Sequence, residues 1–141
     1  MKKKLKPWLL FLLTGIMLLA YVIPAYADDT GISPRLTNMD SSTRSFTVTH
    51  DNMANIYVSY RGRSSTFLRA ELTVKIEKQF LLVFWKDIAE WTSTSTDVID
   101  YFANSFPADG KGTYRAKIKL TVYGTNGVND VIEDTIESEY V

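Results

Sequence analysis

Cysteine is absent from all 141 residues. That excludes a disulfide framework, a thiol nucleophile, thiolate metal sites and the lipidated cysteine of a bacterial lipoprotein. Histidine occurs once, as His50. Any Ser-His-Asp triad would have to use it, yet no Gly-x-Ser-x-Gly elbow accompanies it, and a lone histidine at a strand end is ordinarily a rim residue. The Asp-x-Asp-x-Asp pattern of a calcium loop is missing too, since Asp97 with Asp100 and Asp130 with Asp134 do not supply it. No residue is therefore assigned to catalysis, to a cofactor or to a metal. No segment carries an amphipathic helical stripe, no internal repeat or low-complexity linker is visible, and after residue 27 no apolar stretch approaches the ~20 residues of a spanning helix.

What the sequence does contain begins with the three parts of a secretory signal peptide. Lys2, Lys3, Lys4 and Lys6 form a charged n-region, Trp8 to Ile23 is apolar apart from Thr14 and Gly15, and Ala25-Tyr26-Ala27 is a small-x-small cleavage pattern. Cleavage after Ala27 leaves 12 Lys and Arg against 16 Asp and Glu, a net charge of about −4. A mildly acidic domain with dispersed cations has no electrostatic footprint for nucleic acid. The expected organisation is a signal peptide (1–27), a flexible lead-in (28–43) and one β-domain (44–141), secreted and without a permanent membrane anchor.

The clearest secondary-structure signal is the strict alternation from Gly112 to Gly124. It puts Tyr114, Ala116, Ile118, Leu120 and Val122 on one face and Arg115, Lys117, Lys119, Thr121 and Tyr123 on the other, as a half-buried antiparallel strand demands. Similar alternation marks strands over Ser45 to His50, Asn55 to Arg61 and Phe67 to Lys78, and Gly124-Thr125-Asn126-Gly127 reads as a hairpin turn before a last strand from Val131 to Tyr140. Six to eight short strands with turns between them predict an all-β, antiparallel β-sandwich. For the last hairpin, inward matching predicts Val122 opposite Ile132, Ile118 opposite Ile136 and Tyr114 opposite Tyr140, with Lys117 facing Glu137 and Arg115 facing Glu139. That register leaves Asp134 as an inward acid opposite Leu120, without a partner.

Phe80-Leu81-Leu82-Val83-Phe84-Trp85 breaks the alternation and lies between Lys78 and Lys86. Contiguous apolar runs are usually interior, which favours a buried strand or a tip folded onto the core. The alternative is a hairpin reversing near Gln79 to Leu82, with Trp85 inward and Phe80, Leu81 and Leu82 exposed as a patch for a partner or a membrane surface.

The stretch from Phe106 to Ala116 resembles the turn into strand F of immunoglobulin-like domains. In that family an apolar residue lies eight before a corner tyrosine, Gly or Ala two before it and a cysteine two after it. Phe106, Gly112 and Tyr114 match, and Ala116 stands in the cysteine's place. Trp85 stands for the strand C tryptophan, with Leu72 or Val74 at the first cysteine position. The resemblance spans roughly Leu72 to Val122 and implies a disulfide-free sandwich of the Ig or fibronectin III type. The mature chain also looks like small secreted proteins of Gram-positive bacteria. The expected function is a non-catalytic binding or adhesion module for a protein or glycan at a cell surface. The alternatives are a self-associating structural or colonisation-related surface protein and, third, a hydrolase using carboxylates.

Overall fold

The computed structural model describes residues 36–141, so the expected signal peptide and the first half of the lead-in lie outside the described residues. Among the described residues seven strands form: β1 (Met39–Val48), β2 (Met53–Gly62), β3 (Phe67–Phe80), β4 (Phe84–Ser95), β5 (Ile99–Pro107), β6 (Gly112–Gly124) and β7 (Asn129–Tyr140). They make two antiparallel sheets, β1-β2-β5 and β4-β3-β6-β7, and the described residues include no helix. The alternation on β6 is realised as read, with Tyr114, Ala116, Ile118, Leu120 and Val122 all buried. They join Ala70, Leu72, Val74 and Ile76 of β3 and Phe46, Ile56, Val58 and Tyr60 of the other sheet in one core. One apolar face per sheet packed on the other is the arrangement of a β-sandwich.

The sandwich begins earlier than Ser45. Asn38 and Met39 are buried, and the Asp130 carboxylate accepts the backbone N–H groups of Thr37 at 3.0 Å, Asn38 at 2.6 Å and Met39 at 3.0 Å. Residues expected in the flexible lead-in thus open β1, held by an acid 91 positions beyond Met39 that local pattern could not connect to them.

The β6–β7 register differs from the expectation by two residues. Leu120 faces Ile132, Ala116 faces Ile136, Gly112 faces Tyr140, Arg115 faces Glu137 and Lys117 faces Thr135. The cause is the turn: Gly124 N–H bonds to Val128 O at 3.0 Å, which closes a three-residue loop with Gly127 at φ 76. A left-handed glycine at the third loop position is the geometry of a type I turn with a bulge, and it fixes the pairing. A shift of two keeps every side chain on its face, so matching apolar faces alone could not detect it.

Candidate functional site

The β3–β4 hairpin continues past the last β3–β6 pair, Lys78 with Tyr114, through Gln79 opposite Trp85 and Phe80 opposite Phe84. Its loop is Leu81-Leu82-Val83. Leu81 and Leu82 adopt left-handed backbone at φ 49 and φ 65, a conformation in which a bulky side chain is rare and strained. The five residues are exposed, from 58% for Phe80 to 85% for Leu82. The buried reading of this run is therefore overturned, and Phe80, Leu81 and Leu82 form the apex with Val83 and Phe84 beside them. Inside the apex, the Gln79 amide Nε2 donates to Leu82 O at 2.8 Å.

Below the apex, Lys78 and Lys86 are directly opposite each other. Like charges in that position destabilise a sheet. Lys78 reaches the carbonyl of Asp109 and lies 5.4 Å from the Tyr114 ring centre, and Lys86 is exposed.

Trp85, expected to point into the core, lies on the outer face. Ile76 pairs with Ala89 but Glu77 pairs with Asp87, so Ile88 is an extra residue and a bulge. A bulge reverses side-chain parity along the strand. Trp91, opposite Val74, therefore faces inward and packs on Phe102 and Phe106 with ring centres 5.9 Å and 5.3 Å away. Trp85 instead carries the Arg115 guanidinium 3.9 Å above its ring. Arg115 also donates to Glu77, whose second cation, Lys117, is at 3.1 Å and whose third, Lys75, is at 3.9 Å. Burial works to raise the Glu77 carboxyl, but the hydrogen bonds and charges of Arg115 and Lys117 outweigh it and hold it below its ordinary value. Arg115 and Lys117 were expected to face Glu139 and Glu137 of β7, yet the β6 cation that bonds β7 is Lys119, to Glu133 at 2.9 Å. β6 is a central strand, and the acid with the stronger claim on Arg115 and Lys117 is buried on its other neighbour.

Tyr114 is fully buried and its hydroxyl donates to Gly110 O, four residues upstream. Gly112 has φ 141, and a Cβ there would meet Lys78 Cε at 3.2 Å. Ala116 is buried between Ile76 on β3 and Ile136 on β7. His50 is exposed, and its carbonyl accepts the Tyr140 hydroxyl at 3.4 Å. Among the described residues no three His, Asp or Glu side chains gather as a metal-binding group.

The outer face of β1-β2-β5 carries a shallow groove of about 480 Å³ beside the stacked pair Tyr57 and Tyr101, whose ring centres are 6.3 Å apart. Sequence reasoning missed this face, although Tyr57 lies between the buried Ile56 and Val58, and Tyr101 between the half-buried Asp100 and Phe102, an alternation that marks outward positions. No protein-family model matches the sequence, and no curated protein matches it significantly.

Proposed function

We propose that the protein is a secreted, extracellular, non-catalytic binding or adhesion module of Ig-like fold that engages a ligand on a cell surface through the β3–β4 apex. The fold reading is supported by strand order. Lettered along the chain, β1, β2 and β5 correspond to A-B-E and β4, β3, β6 and β7 to C′-C-F-G, a sandwich of the Ig or fibronectin III type in which the strand after C pairs with C; this lettering moves Trp85 from the expected strand C to C′, and Leu72 and Val74 from B to C. Tyr114 at the start of β6, bonded back to Gly110 O, has the form of a tyrosine corner.

The functional reading is carried by one observation: five consecutive large apolar residues, Phe80 to Phe84, are all exposed at the apex of a hairpin. An apolar patch of this kind on a monomer marks an interaction surface. A glycan array and a pull-down from bacterial and host cell surfaces test it. Binding that disappears in Phe80→Ser with Leu81→Ser supports the module, and partners captured equally by that variant would sink the role of the apex.

Self-association is the second reading. Among the described residues β5, Ile99–Pro107, is the edge of its sheet; it contains a single charged residue, Asp100, and exposes Ile99 and Tyr101. Edges so lightly charged invite pairing with another strand. A monomeric mass by light scattering at high concentration would exclude it.

A further inference from the structure

We propose that the ligand of the β3–β4 apex is an anionic lipid bilayer, into which Phe80 to Phe84 insert. This rests on the reading of the apex as the binding surface and names the class of partner. Three features of the hairpin select lipid over a protein pocket.

The first is its layering. Going down from the apex, the exposed apolar residues Phe80 to Phe84 are followed by the rung Gln79 with Trp85 and then by the rung Lys78 with Lys86. At about 3.3 Å per residue, Phe80 lies about 7 Å above Lys78 along the strand. That span suits apolar side chains that enter an interface ~5–10 Å deep while lysines remain at the phosphates. An indole between the two zones is at the depth where tryptophan concentrates in membrane proteins.

The second is charge. From Lys78 to Lys86 the hairpin contains two lysines and no acid. Lys78 is held by the Asp109 carbonyl and the Tyr114 ring, so the exposed Lys86 opposite it is the cation that meets anionic headgroups. A second copy of the apex would bring the same lysines together, which argues against self-pairing here.

The third is backbone satisfaction. Groups entering hydrocarbon must find their hydrogen bonds internally. Leu82 O at the extremity is bonded by the Gln79 side chain of the same hairpin, at 2.8 Å.

The test uses residues 28–141, the expected mature chain, which contains all the strands of the described residues, with vesicles of phosphatidylcholine alone and of phosphatidylcholine with phosphatidylglycerol. The protein should cosediment with the anionic vesicles at least tenfold more strongly than with the neutral ones. Brominated acyl chains should quench part of the tryptophan fluorescence, and that part should vanish in Trp85→Phe. Leu81→Ser with Leu82→Ser should lose binding tenfold or more at an unchanged melting temperature, and Lys86→Glu should lose the preference for anionic lipid. Absence of vesicle binding, or equal binding by the serine variant, overturns the lipid assignment. If apex-dependent capture of a protein or glycan then appears, the binding module survives with a different ligand. If the serine variant matches the wild type in every assay, both readings fall.

Discussion

Arg44 on β1 donates from Nε to the carboxylate of Asp134 on β7 at 2.9 Å, a bond that crosses from one sheet to the other. It accounts for the acid that the inward pattern of β7 leaves unexplained. Asp134 has company: on the same face, Asp130 holds the start of β1 and Ser138 Oγ accepts the Val48 N–H at 2.8 Å. Every fourth residue of β7 thus makes a side-chain bond to β1. Ile132, Ile136 and Tyr140, between and beyond them, pack against the core. Side chains close the seam where no backbone ladder joins the two strands.

Arg44→Ala and Asp134→Ala should each lower stability, with a coupling of about 1 kcal/mol in a double-mutant cycle, since both side chains are partly exposed. Chemical denaturation of the four proteins measures it. Strict additivity would show that the bond contributes nothing to the seam.

The Glu77 cluster should appear in the pH dependence of stability. A carboxyl held below its ordinary value in the folded chain stabilises above that value, and the stabilisation is lost as pH falls through the folded pKa. Glu77→Gln should therefore be less stable than the parent by about 2 kcal/mol at pH 7, a buried pairing being lost. The difference should shrink as pH drops below about 4.5. Thermal melts of both proteins from pH 7 to pH 2.5 give the comparison, and a gap that stays constant would remove Glu77 from the acid response.

Alternation made the strand faces of β2, β3 and β6 readable, because a period of two survives any tertiary context that buries one side. Three kinds of information were not readable. The loop closing at Gly124 and Val128 sets a register that an even shift leaves invisible to hydrophobic matching. The extra residue Ile88 exchanges the roles of Trp85 and Trp91, and nothing in the residues of β4 announces a bulge. The partners of Asp130, Asp134 and Glu77 come from distant positions, so the structural ties these acids make could not be read from local pattern. For the apex, the sequence supplied the residues and left two readings. Burial decided between them: the hairpin runs beyond the end of β6, where no opposing sheet covers it.

The apex turn should tolerate, and gain from, residues suited to left-handed backbone. Leu81→Asn with Leu82→Gly relieves two non-glycine residues at positive φ, each costing roughly 1 kcal/mol, and glycine returns part of that through its unfolded-state freedom. A net gain of about 1 kcal/mol is expected, visible as a melting temperature a few degrees higher. A lower melting temperature would mean that the two leucines support the fold, against their exposure.

Asp130 provides the most local test of how β1 is held. Its carboxylate takes three backbone N–H groups, at Thr37, Asn38 and Met39. Around it, Asn38 Nδ2 donates to Val128 O at 2.8 Å and Arg63 N–H donates to Asn38 O at 2.7 Å. Asp130→Ala removes the common acceptor and leaves the N–H groups of Thr37, Asn38 and Met39 without their partner. Each orphaned group costs about 1–3 kcal/mol, and water entering the end of the sandwich recovers part of that. We expect a loss of about 3 kcal/mol and a melting temperature lower by on the order of 10 °C. Hydrogen exchange gives the sharper reading, because the amides of Asn38, Met39 and Arg63 should accelerate well beyond those of Val74 and Leu120 on the central strands. Asp130→Asn, which keeps one acceptor oxygen and adds two unwanted donors, should fall between the parent and alanine. A uniform rise in exchange with no excess at Asn38 and Met39 would show that pairing of Met39 with Gly62 on β2, and not Asp130, fixes where the first strand begins.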